Sequence, residues 1–213
     1  MGGRVLARSS LRLRLTVARA MVPALLASTA VAKDVPTTCQ DLCSTYTSTL
    51  CVITAIHDVV AGSVVDCTSA RDIQIAGGEL RIHDAQFVLR GKSLLLSSGG
   101  KITADCPQSF ARIGFTVDVV NAINQPANGN GKLTARCGVA GGRIQLTAGG
   151  AVTIAGLGID ANGTAPNAPG GTVRIASDST VTISTDVTAE ATGGKAPGGT
   201  ILAEAAAGVP AVR

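Results

Sequence analysis

The feature that most limits what this chain can fold into is a period. Gly141-Gly142-Arg143-Ile144-Gln145-Leu146 returns as Gly170-Gly171-Thr172-Val173-Arg174-Ile175 and again as Gly198-Gly199-Thr200-Ile201-Leu202-Ala203, at offsets of 29 and 28 residues. Between these copies, Val152-Thr153-Ile154 answers to Val181-Thr182-Ile183, and Ile159-Asp160-Ala161 to Val187-Thr188-Ala189. Each unit holds three apolar-x-apolar triplets broken by Gly, Asn and Pro. Self-similarity at such a period predicts a solenoid of three strands per coil, stable only as a stack because no coil buries its inner face alone. Strand side chains alternate between faces, so Ile144 and Leu146, Val152 and Ile154, and Ile159 and Ala161 point inward together. Equivalent residues of adjacent coils then lie about 4.8 Å apart as parallel neighbours.

Shorter coils precede the long ones. Val65-Asp66-Cys67, Ile73-Gln74-Ile75 and Leu80-Arg81-Ile82 are followed by Phe87-Val88-Leu89, Leu94-Leu95-Leu96 and Ile102-Thr103-Ala104, at offsets of 22, 21 and 22. Gly100-Lys101-Ile102-Thr103-Ala104-Asp105-Cys106 then recurs 31 residues on as Gly131-Lys132-Leu133-Thr134-Ala135-Arg136-Cys137, and Arg112-Ile113-Gly114-Phe115 as Arg143-Ile144-Gln145-Leu146. One interior column therefore reads Ile102, Leu133, Ile159, Val187, and another Ala104, Ala135, Ala161, Ala189. The same alignment puts Cys106 beside Cys137 at a spacing a disulfide tolerates, which predicts that bond. Two stacked free thiols acting as small hydrophobes are the alternative.

A thin interior suits the composition, with no Trp, one tyrosine (Tyr46) and 26 Gly in 213 residues. The formal charge of +4 is misleading, since Arg4, Arg8, Arg12, Arg14 and Arg19 all precede the first acid, Asp34; without residues 1–32 the chain carries 13 basic against 14 acidic residues, a net of −1. That balance gives no footing for nucleic acid. Residues 1–32 read as a secretory signal: an Arg-rich start, the apolar run Met21 to Ala27, and a small-x-small site at Ala30-Val31-Ala32. A mitochondrial-type transit peptide is the rival reading. Six cysteines fit an oxidising compartment.

Residues 33–62 read as a Cys-rich cap on the stack, leaving 63–213 for the solenoid, whose C-terminal coil is incomplete. Leu50, Ile53, Ile56, Val59 and Val60 recur at helical spacing, predicting an amphipathic helix over Ser48 to Val60. Cys39, Cys43, Cys51 and Cys67 lie at gaps matching no zinc pattern and without a suitably spaced His, so they join Cys106 and Cys137 as disulfide candidates.

Chemistry-bearing groups are sparse. His57 and His83 lack a third group at a catalytic or metal-ligating interval. Asp160, Asp178 and Asp186 raise the possibility of an acid cluster of the kind that cleaves polysaccharides, although each also suits a turn. Gly156 to Asp160 is one isolated copy of a calcium-repeat-like stretch, Asn162-Gly163-Thr164 is a glycosylation sequon, and Thr153, Thr180 and Thr182 form too short a rank to order water. No catalytic residue, metal site or cofactor is expected.

The size and three-strand make-up of the coils resemble the right-handed parallel β-helix. The Gly-Gly-x-φ-x-φ…φ-Thr-φ pattern over residues 64–207 is similar in style to the coils of bacterial filamentous-haemagglutinin-like adhesins and autotransporter passengers. That resemblance implies export to the cell surface and structural or adhesive work on cell-surface glycans or proteins. The incomplete last coil departs from the family pattern and predicts either that the chain is the first part of a longer product or that the open coil pairs end to end with a partner. The rival expectation is a β-helix polysaccharide lyase or hydrolase.

Overall fold

A computed structural model describes residues 36–59, 62–67, 71–83, 86–106, 113–206 and 211–212. The leader expected over residues 1–32 lies outside them. A short helix, α1 (Cys39–Leu42), is followed by β1 (Thr45–Tyr46). Strands then come in threes. The first coil holds β2 (Leu50–Ile53), β3 (Ile56–Val59) and β4 (Val64–Asp66); the second β5 (Asp72–Ala76), β6 (Glu79–His83) and β7 (Gln86–Gly91); the third β8 (Ser93–Ser97), β9 (Lys101–Cys106) and β10 (Gly114–Val119). The longer coils hold β11 (Ile123–Gln125), β12 (Lys132–Cys137) and β13 (Arg143–Ala148), then β14 (Val152–Ile154), β15 (Ile159–Asp160) and β16 (Thr172–Ser177), then β17 (Val181–Ile183), β18 (Val187–Thr188) and β19 (Thr200–Ala205), before β20 (Ala211–Val212).

Like strands of successive coils pair with one another. Sheet A runs β1-β2-β5-β8-β11-β14-β17-β20, sheet B β3-β6-β9-β12-β15-β18, and sheet C β4-β7-β10-β13-β16-β19. The pairings are parallel except β1 with β2. The protein is a parallel β-solenoid with three sheets around one apolar column. Ile102, Leu133, Ile159 and Val187 lie in register on sheet B, as do Ala104 and Ala135. On sheet C the column reads Phe87, Phe115, Ile144, Val173, Ile201. Phe87 and Phe115 are fully enclosed, so the aromatic bulk of the interior sits in the earlier coils.

Three expectations are corrected. In place of the helix expected over Ser48 to Val60, the described residues to Val59 form β2 and β3 around a two-residue corner, Thr54-Ala55. The inward positions keep one parity through the corner, at Cys51, Ile53, His57 and Val59, and the i, i+3 spacing of a helix is imitated because the outward Leu50 and Ile56 are also apolar. Ile56 in fact faces out, 49% exposed, while Cys51, Ile53 and Val59 are buried. The solenoid therefore begins at Leu50, inside the stretch assigned to the cap. On sheet C, Val65 pairs with Leu89 rather than Phe87, and Phe115 with Ile144 rather than Ile113 with Ile144. Both registers are off by two, a slip that keeps every side chain on its face and so leaves the apolar pattern unchanged.

The cap is α1 with β1. Thr38 accepts from the Asp41 amide, and the Asp41 carboxylate accepts from the Thr38 amide, closing a capping box. The Thr38 hydroxyl and amide together hold the Asp41 carboxyl below its ordinary range. Leu42 is fully buried with the first-coil residues Cys51 and Ile53. The Cys39–Cys67 and Cys43–Cys51 disulfides tie this turn to the end of β4 and to β2. Antiparallel β1 occupies the outer edge of sheet A, which would otherwise present unpaired amides and carbonyls.

Candidate functional site

The three sheets present different outer faces, and sheet B carries the most charged residues among those described. Its outward columns in register read Ile56, Glu79, Lys101, Lys132; then Asp58, Arg81, Thr103, Thr134, Asp160, Thr188; then His83, Asp105, Arg136. Opposite charges meet along and between the rungs. His83 Nε2 is 3.1 Å from Asp58, Arg81 Nε donates to Glu79 at 2.9 Å, and the Thr103 hydroxyl donates to the same carboxylate at 2.7 Å. Opposite charges on neighbouring strands favour the observed register and penalise slippage.

The centre of this face is Asp160. Its side chain is only 8% exposed and closely partnered: Arg136 Nε donates to Oδ2 at 2.6 Å, Arg136 Nη2 donates to the same oxygen, and Lys132 Nζ lies 3.9 Å away. Its Oδ1 accepts from the Asn162 amide, forming the turn that leads off the sheet. The hydrogen bonds that Arg136 donates to Asp160 raise the Arg136 pKa, with the charges of Asp160 and Asp105 assisting and burial opposing. The group is thus a structural ion pair that starts a loop.

That loop leads to the B–C corner, where the coil is most elaborate. Residues 161–171 and 189–199 join sheet B to sheet C in the last two coils, and they stack as the strands do. Gly163 N donates to Glu190 O, Asn167 N to Thr192 O and Thr192 N to Ala168 O, while Glu190 N donates to Asn162 Oδ1 at 2.5 Å. Thr164 and Ala165 donate back to Cys137 and Gly138 of the coil before. Each loop returns through Ala-Pro-Gly-Gly-Thr, at 168–172 and again at 196–200. The second Gly of each pair donates to the alanine column: Gly142 N to Ala135 O, Gly171 N to Ala161 O, Gly199 N to Ala189 O. A Cβ on Gly171 would lie 2.1 Å from Gly142 O, so the coils meet here backbone to backbone and only Gly fits. Next to this ladder, Gln86, Gly141, Gly142, Arg143 and Thr172 line a cleft of about 240 Å³.

The sequence-level candidates are now placed. Asp178 is exposed in the turn between sheets C and A, across the core from Asp160; Asp186 is exposed just before β18, one rung and two residues from Asp160. The three do not form one cluster, and Asp160 is committed to Arg136. That commitment also removes the carboxylate a calcium loop at Gly156 to Asp160 would use. His57 lies half-buried on β3, and His83 is in the ion ladder. Thr153 and Thr182 are in register, but the same column continues through Asn124 and Leu95. The Asn162 sequon has its side-chain oxygen engaged by Glu190. Cys137 is disulfide-bonded, and its register partner is Cys106. The Sγ atoms of Cys39, Cys43 and Cys51 all lie within 4.8 Å of one another.

Sequence reasoning missed the sheet B ladder and the stacked loops. The ladder was hidden because its partners on neighbouring strands lie 24–28 residues apart. The repeated Ala-Pro-Gly-Gly-Thr was visible and marks where the loops return. No family model, no curated protein and no solved structure matches the chain.

Proposed function

We propose that this is an exported structural or adhesive protein of the bacterial cell surface, of the filamentous-haemagglutinin or autotransporter-passenger kind, and that it meets its partner through the stacked loops of the B–C corner. The observation that carries the reading is where the chain spends its variable length: residues 162–167 and 190–197 build an ordered outer layer beyond the apolar column. Loops on a rigid scaffold are where binding residues concentrate. The three sheet faces support a scaffold role, since their charges are largely matched within the face, as in Arg90 with Asp118 and Arg174 with Glu204 on sheet C. The adjoining cleft offers Arg143, Gln86 and Thr172, donors and acceptors that suit a glycan hydroxyl or carboxylate. Ile201, 47% exposed on β19 at the edge of sheet C, gives end-to-end pairing with a second solenoid a starting point.

The test is binding of the purified chain to a glycan array and to surface proteins, with polysaccharide turnover assayed in parallel. Replacing residues 163–168 by a short Gly-Ser turn abolishes binding while leaving the unfolding transition in place. Turnover of a polysaccharide would replace this reading by the lyase or hydrolase one. Binding that survives the loop replacement would move the contact to another face.

A further inference from the structure

We propose that the four cysteines that join the cap to the first coil form a thiolate metal site when their disulfides are reduced, so that one set of sulfurs fastens the cap in either redox state. Their spacing in the chain matches no zinc motif, but the fold brings them together. Cys39 and Cys43 are four residues apart at α1, Cys51 lies on β2 and Cys67 follows β4. The Sγ atoms of Cys39 and Cys43, which are not bonded to each other, are 3.8 Å apart, and Cys51 Sγ completes a triangle with every side within 4.8 Å. A tetrahedral zinc thiolate with Zn–S bonds of about 2.3 Å has sulfurs about 3.8 Å apart along each edge. One edge is therefore already at the bound length. Cys67, disulfide partner of Cys39 with Cα atoms 4.9 Å apart, is the fourth donor once that bond opens.

The surroundings suit an enclosed site. Cys39, Cys51 and Cys67 are 5%, 0% and 1% exposed, and Cys43 is half-buried, leaving one side for a metal to enter. The chemistry balances with a dithiol reductant. Two dithiols each give two electrons and two protons to one disulfide and become cyclic disulfides, leaving four cysteine thiols. One Zn²⁺ then displaces the four thiol protons to form the tetrathiolate. The metal closes the same chain loops that Cys39–Cys67 and Cys43–Cys51 close, so binding and the docking of α1 on the first coil are one equilibrium.

The test uses the full chain, oxidised and reduced, with the reductant removed anaerobically before Co²⁺, Cd²⁺ or Zn²⁺ is added. The reduced chain is expected to bind one equivalent of Co²⁺ with the visible bands of tetrahedral thiolate cobalt, at least tenfold more tightly than C39S/C51S, while the oxidised chain binds none. C106S/C137S retains the site. Alkylation mapping of the wild-type chain is independent of whether any variant folds: Zn²⁺ should shield Cys39, Cys43, Cys51 and Cys67 from iodoacetamide. The proposal is overturned if the reduced chain takes up no metal, if its spectrum lacks thiolate bands, or if Zn²⁺ shields only Cys106 and Cys137.

Discussion

Two corners of the coil follow opposite rules. Between sheets C and A the connection from β7 onward is Lys92 alone, then residues 120–122, 149–151 and 178–180. Between sheets B and C the chain goes from His83 to Gln86 in the second coil but spends residues 161–171 and 189–199 in the last two. Inward apolar residues stay in register from coil to coil whatever the coil length. Added chain must therefore leave the coil, and it leaves where it can satisfy its own backbone. The B–C loops hydrogen-bond one another and share the Gly-Gly ladder. The tight C–A turns are held directly by the coil before, as by Gly150 N to Asn121 O and Asp178 N to Ala148 O.

The sharpest way to break this contrast is to lengthen each corner equally. A Gly-Ser insertion between Ser179 and Thr180 should cost about 3 kcal/mol or more, since it displaces the bond from Val152 N to Thr180 O and the register of Val181 behind it. The same insertion between Ala165 and Pro166 should cost less than about 1 kcal/mol, the scale of added loop entropy. Urea unfolding of the two variants measures both, and equal losses would mean that the B–C corner is no freer than the other. The next effect is at the ladder. Gly171→Ala sets a Cβ against main-chain oxygens that no rotamer change can move aside, and about 2–3 kcal/mol of destabilisation is expected in thermal unfolding. A near-neutral result would show that the coils do not need their close approach there.

How much of this was legible follows from where the information lies along the chain. The column Ile102, Leu133, Ile159, Val187 could be read directly, because a stacked fold writes one physical environment several times. Face could be read and register could not: Val65 suits Phe87 or Leu89 equally, since two residues further along a strand lies the same side of the sheet. The corner Thr54-Ala55 was hidden because two residues suffice to turn a strand, too few to interrupt an apolar pattern. Asp160 looked like a free acid beside a turn, since Arg136 is 24 residues away in sequence and meets it only after the coils stack.

A smaller effect than the ladder's separates the two functions of Asp160. Asp160→Asn keeps the acceptor for the Asn162 amide but removes the charge facing Arg136 and Lys132. About 1–2 kcal/mol is expected, tempered because the Arg136 side chain is half exposed. Urea unfolding at low and high salt reads it: the gap between wild type and variant narrows with salt if the charge matters, and stays fixed if only the turn does.

The short strand β1 gives the molecule a direction. Because it runs against the grain of sheet A, a chain arriving at that edge meets a reversed, two-residue strand instead of the parallel template offered along the rest of the stack. Any filament assembled from such molecules would have a head distinct from its tail.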